Sequence, residues 1–285
     1  MGGGFGASSM KSELNGHNSD KYPLLRAVGL RKLYTRGGAW AGAHPEVESL
    51  RGIDLEVPAG ALLALIGASG CGKSTLARCL ALLEKPDSGE IWLGGQNATL
   101  LKDHELPQYR RQVQLIFQDP GLSLNPRFTA EEIVSEPMIF AGMAKKSERY
   151  ARAHELLQLV GLPPESAHRL PNQFSGGQKR RLAIARAIAL SPKILLLDEA
   201  LTGLDLSTQA QIANLLLDLQ QAHALTYIWI SHDLSLVARL ATQVAVIDAG
   251  RIVEAAPTRE LFANPQSPPA RALVEATRAW QAGPQ

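Results

Sequence analysis

Apolar positions follow two rhythms along this chain. Leu24 to Leu30 and Ile53 to Val57 show strand-like alternation, as expected of strands with one covered face. Ala61 to Ile66 and Ile194 to Leu197 are apolar without a break, the pattern of strands buried on both sides. A helix is predicted from Lys73 to about Leu83, then a turn at Pro86-Asp87-Ser88-Gly89. Ile91-Trp92-Leu93 and Val113 to Phe117 are expected to return to the same sheet. From Gly121 to about Asn172 the period lengthens: Tyr150, Ala153, Leu157 and Val160 recur at helical spacing behind a candidate cap at Ser147. This predicts a helical lobe, reaching about residue 190 if the helix carrying Leu182, Ile184, Ala185 and Ile188 is included. Strands return at Lys193 to Leu197, Thr226 to Ile230 and Gln243 to Ile247, and between them runs a helix with Ile212, Leu215, Leu216 and Leu219 on its inner face. Such alternation implies a parallel sheet covered by helices. Asp248-Ala249-Gly250 reads as a hairpin turn into Arg251 to Glu254, and a proline-rich break at Pro265 to Pro269 precedes a last helix.

Composition narrows the class. A chain of 285 residues, 45% hydrophobic, suits one large domain at the size where a core begins to divide, so two lobes are expected. Its net charge of +2, from 29 Lys and Arg against 27 Asp and Glu, leaves no excess to coat nucleic acid. No apolar run approaches the roughly 18 residues that cross a bilayer. The Gly, Ser and Asn-rich segment Met1 to Asp20 lacks the apolar core of a secretory signal and is expected to be a disordered tail of a cytoplasmic chain, with residues 1–21 set apart on that ground. Cys71 and Cys79 are too few and too close for a disulfide framework and are expected to be buried thiols. His17, His44, His104, His154, His168 and His223 show no metal-ligand spacing and are expected to be solvated.

The chemistry begins at Gly67-Ala68-Ser69-Gly70-Cys71-Gly72-Lys73-Ser74, which fits the G-x-x-x-x-G-K-S/T loop between a strand and a helix. Gly67, Gly70 and Gly72 let the backbone curl around a phosphate, and the next helix points its positive end at the same anion. Lys73 is expected on the β- and γ-phosphates, Ser74 on Mg²⁺, and Thr75 near the α- and β-phosphates. Asp198 and Glu199 close the Ile194 to Leu197 strand at the sheet edge where open α/β folds hold their ligands. Asp198 is expected to hold Mg²⁺ and Glu199 to act as general base on water. Ser175-Gly176-Gly177-Gln178 opens a further helix and offers a second anion site.

The order of these segments, with Gln118, Asp205 and His232, resembles the ATP-binding cassette (ABC) ATPase family over roughly Leu24 to Leu273. The resemblance implies an α/β fold: a P-loop, RecA-like nucleoside triphosphatase core with an antiparallel β subdomain and an inserted helical subdomain at about residues 121–190. The ATPase domain would span residues 22–265, and residues 266–285 would form a helical extension. By the same resemblance Gln118 is the coupling glutamine that also meets Mg²⁺, and His232 is a switch between the γ-phosphate, Glu199 and a facing subunit's Asp205. Ser175, Gly176, Gly177 and Gln178 would bind the ATP of that facing subunit, and Tyr34 would stack on adenine, with Trp40 as a competitor. Phe174 stands where leucine is commoner, and Ala200 where most members carry proline.

Gln118-Asp119-Pro120 followed by Ser123-Leu124-Asn125-Pro126-Arg127 is similar to importers of oligopeptides, dipeptides and nickel or nickel chelates. The stretches from Ser69 to Arg78 and from Ser135 to Met138 look most like the second ATPase of a nickel importer. The implied setting is a peripheral subunit on the cytoplasmic side of the plasma membrane, paired with an identical or homologous ATPase. Two membrane permeases and an extracytoplasmic binding protein would complete it, and nucleic acid would play no part. A soluble ATP-gated assembly factor, like those of the phosphonate carbon–phosphorus lyase complex, would carry the same motor residues.

Overall fold

The computed structural model describes residues 23–35, 46–143 and 145–282. The expected tail and Trp40 lie outside the described residues. In chain order the strands are β1 (Leu25–Thr35), β2 (Glu46–Val57), β3 (Leu62–Ile66), β4 (Ser88–Leu93), β5 (Gln96–Asn97), β6 (Val113–Ile116), β7 (Ile194–Asp198), β8 (Thr226–Ile230), β9 (Gln243–Asp248) and β10 (Arg251–Pro257). The α-helices are α1 (Lys73–Leu80), α2 (Leu106–Gln112), α3 (Pro120–Ser123), α4 (Ala130–Phe140), α5 (Lys146–Leu159), α6 (Gly176–Ile188), α7 (Leu206–His223), α8 (Leu234–Leu240), α9 (Thr258–Ala263) and α10 (Pro268–Ala282).

Every residue of β3, β7 and β8 is buried, as their unbroken apolar runs require. They form the middle of a six-stranded sheet in the order β10-β9-β3-β8-β7-β6, parallel except for the β10 edge hairpin. Alternate residues feed separate cores. Leu63 and Leu65 pack with α1 and the antiparallel strands, whereas Ala64 and Ile66 pack with Val237, Leu261, Ala270 and Val274 of α8, α9 and α10. Leu195, Leu197, Tyr227 and Trp229 meet the helical lobe through residues such as Ile133, Leu157, Leu182 and Phe174. Tyr227 also donates its hydroxyl to the Leu216 carbonyl at 2.7 Å, which pins α7 to the sheet.

Two expectations change. The Ile91 strand does not join the parallel sheet: β4 pairs antiparallel with β1 in a second sheet of order β2-β1-β4-β5. Period-two alternation signals a covered face without saying which sheet supplies the partner. Ser147 is not a cap, because α5 starts at Lys146 and its Lys145 cap position makes no side-chain bond. The cap ahead of α4 is Thr129, which accepts from the Glu132 amide while Glu132 reaches back to the Thr129 amide. His154 and His168 are exposed, as expected, and also bond: His154 Nε2 lies 2.7 Å and His168 Nδ1 3.2 Å from the two oxygens of Glu131, whose side chain is only 10% exposed. That cluster joins α4, α5 and the short turn before Arg169.

Candidate active site

Register brings the chemistry together. Leu65 of β3 and Asp198 of β7 both pair with Ile230 of β8, and Ile116 of β6 pairs with Leu197. The loops that follow these strands therefore leave the sheet at one height, carrying Gly67, His232, Glu199 and Gln118.

The glycine loop closes on α1 at Gly72, whose φ of 110° lies in the left-handed region and whose position leaves the helix without a side-chain cap. A Cβ there would lie 2.5 Å from the Ser49 carbonyl of β2, so close strand approach as well as φ demands glycine. Lys73 is 5% exposed and its Nζ donates to the Gly67 and Ala68 carbonyls, each at 2.9 Å. Cys71 is buried and its sulfur accepts from that ammonium at 3.7 Å. Ser49, which no motif announced, donates its hydroxyl to Thr75 at 3.0 Å. Ser49, Ser69, Gly70, Gly72, Lys73, Ser74, Thr75, Glu199 and His232 line a pocket of about 300 Å³.

Asp198 is 6% exposed and accepts from the Ser74 hydroxyl at 3.1 Å. Burial raises its carboxyl above the ordinary range; the Ser74 bond opposes this and the Glu199 charge adds to it. Glu199 adopts φ 50°, a left-handed conformation unusual outside glycine, and its amide donates to the Ile230 carbonyl at 3.1 Å. Its two oxygens are both taken: Gln118 Nε2 donates to Oε2 at 2.6 Å, and His232 Nε2 lies 2.6 Å from Oε1.

Other expected site residues stand apart from that pocket. Ser175 caps α6 by accepting from the Gln178 amide, and Gln178 returns the bond to the Ser175 amide at 3.0 Å. Asp205 caps α7, accepting from Thr208 at 2.9 Å, and these bonds hold its carboxyl below the usual range. Gly177 also lets α7 approach, since a Cβ there would lie 2.5 Å from Thr208 Cγ2, whereas Gly176 is free of close backbone neighbours. Tyr34 does not line the pocket. Its hydroxyl bonds Glu84 and also meets Thr75, and the Lys32 ammonium lies 5.8 Å from its ring centre.

A glycine loop ahead of a helix, a buried aspartate against the first-turn serine, and a carboxylate held at the sheet edge define a P-loop nucleoside triphosphatase. A family model described as ABC transporter matches residues 50–202, and the chain belongs to that family as an ATP-binding and ATP-hydrolysing subunit. Curated relatives include a probable peptide ABC transporter ATP-binding protein of Sinorhizobium fredii, 45% identical over 89% of this chain and 72% of its own length. The dipeptide transport ATP-binding protein DppF of Escherichia coli is 43% identical over 90% of this chain and 76% of its own. Among solved structures, the dimeric post-hydrolysis state of the ATP-binding cassette MJ0796 bound to ADP and Pi has a TM-score of 0.73 at 32% identity, covering 82% of this chain and 99% of that one.

Proposed function

We propose that this chain energises a peptide importer, hydrolysing ATP in a site completed by a second cassette. The observation that carries the catalytic reading is Glu199, held over the glycine loop between Gln118 and His232. Gly67 to Thr75 bind the phosphates, with the Lys73 ammonium on the β- and γ-phosphates. Glu199 accepts the proton of the attacking water, Gln118 orients that water, and His232 holds the carboxylate and the γ-phosphate. The Ser74 hydroxyl and Asp198 carboxylate, adjacent and oxygen-only, fit Mg²⁺, with Gln118 as a further oxygen donor. Held there, Mg²⁺ would supply positive charge against that building on the phosphate oxygens.

Ser175, Gly176, Gly177, Gln178 and Asp205 stand outside their own chain's pocket, which supports a role on the nucleotide of a facing cassette, identical or homologous. Leu206, beside Asp205, is 82% exposed, as an uncovered contact would be. Between the core and the helical lobe, Leu83, Pro107, Phe117, Pro137 and Phe140 line a groove of about 620 Å³ with Arg110, Arg111 and Arg186, and Phe140 is 84% exposed. That groove suits a segment of one of two membrane permeases, the other docking on the facing cassette, which would place this subunit on the cytoplasmic face of the membrane. Among the described residues no helix is long and apolar enough to cross a membrane. Residues 22–265 are taken as the motor, with residues 266–285 as an extension and Tyr34 near the adenine. Peptide is preferred to nickel or a metal chelate because the curated relatives named above carry peptide or dipeptide transport in their names.

Glu199→Gln is expected to leave ATP binding intact, slow hydrolysis by about 10²–10⁴-fold and accumulate an ATP-bound dimer. Undiminished single-turnover hydrolysis by that variant would reject Glu199 as the base. In proteoliposomes with the permeases and binding protein, dipeptide is expected to stimulate hydrolysis; stimulation by nickel chelate alone would move the cargo to metals.

A further inference from the structure

Arg180 sits on α6, one residue beyond Lys179, and none of the chemistry above uses it. It is 4% exposed, and its guanidinium is spent on main-chain carbonyls. Nη1 donates to the Gln118 carbonyl at 2.7 Å and to the Phe117 carbonyl at 3.3 Å, while Nη2 reaches the Thr202 carbonyl at 3.4 Å. Nε is buried without a partner. Asp119 lends its charge from nearby, yet its carboxylate accepts from the Gly121 amide at 2.8 Å. A buried cation without a paired carboxylate costs several kcal/mol, and an apolar side chain would fill the same space more favourably. The cost makes sense through what the fork joins. Gln118 carries the amide that touches Glu199, and the Thr202 amide donates to the Glu199 carbonyl at 3.0 Å.

We infer that Arg180 is a positioning residue that ties the Gln118 loop and the turn behind Glu199 to α6, so that movement of the helical lobe shifts amide and carboxylate together. Only a planar fork reaches both loops at once; lysine offers a single nitrogen. The inference rests on the roles proposed for Gln118 and Glu199.

The test is steady-state ATP hydrolysis by the full-length chain with Gln118→Ala, Arg180→Met, Arg180→Lys and the Gln118→Ala/Arg180→Met pair, alongside thermal melts. Arg180→Met is expected to lower kcat about tenfold with KM for ATP changed less than about twofold, and Arg180→Lys to recover part of the loss. If Arg180 acts through Gln118, the double variant is within about twofold of Gln118→Ala alone. Losses that multiply in the double variant, or kcat unchanged in Arg180→Met, overturn the inference. If Arg180→Met does not fold, Arg180→Lys enters the same cycle under the same criteria. Turnover unchanged by both Gln118→Ala and Glu199→Gln would sink the site reading and this inference with it. Turnover lost in those two and kept in Arg180→Met would sink the inference alone.

Discussion

Asp198 shows how function is set against stability within one residue. Its carboxylate is buried beside Glu199 with the Ser74 hydroxyl as its bonded partner, and its pKa is raised by that burial. A carboxyl whose folded-state pKa exceeds its unfolded value helps the fold when protonated. That advantage is lost as pH rises through the folded value. Asp198→Asn is therefore expected to be more stable than the parent at pH 7, by about 1 kcal/mol, and the gap should narrow toward pH 4. Thermal melts across that range, without nucleotide, measure it; a gap that widens on acidification would contradict the sign. The same substitution is expected to abolish Mg²⁺-dependent hydrolysis. Glu199 follows the same logic through its backbone, holding a left-handed φ of 50° where the proposed mechanism calls for a carboxylate.

Elements meet where residues leave room, and Gly177 is the clearest case. A methyl group there would collide with Thr208 Cγ2, so α6 and α7 approach through an absent side chain. Gly177→Ala is expected to cost about 1–3 kcal/mol by overpacking, despite alanine's better helix propensity. Thr208→Ser removes Cγ2 and keeps the hydroxyl, so the double variant is expected to be at least as stable as Thr208→Ser alone. Chemical denaturation of all three decides it: a double variant no more stable than Gly177→Ala would rule out the collision. Sequence patterns disclosed the elements whose signal is local. Gly67 to Thr75, the buried β3 and β7, and the carboxylates after Leu197 could be read because spacing and period reside in neighbouring residues. Features made by distant pairing were not legible. Ser49 reaches Thr75 through the position of β2, Glu131 collects histidines from two other segments, and β4 went to the wrong sheet because period two names no partner. The packing of Gly177 against Thr208 was hidden for the same reason, since the two lie 31 positions apart along the chain.

At the scale of the molecule, the pocket and the exposed ends of α6 and α7 are separate surfaces, which gives the paired-cassette model a sharp test. In dimers mixed from two differently tagged copies, Ser175→Arg in one copy is expected to impair hydrolysis of the nucleotide held by the other. Labelled product trapped on each tagged copy reports which site failed, and a defect confined to the altered copy's own nucleotide would contradict the model. Gly177 is unsuited to that experiment because changing it also disturbs α7. Lys73 has a consequence for the whole working cycle. Its ammonium already spans the loop by gripping the Gly67 and Ala68 carbonyls. Under the role proposed for it, the same amine that braces this strand-to-helix bend would also meet the phosphates, so its removal is expected to loosen the cradle as well as weaken nucleotide binding.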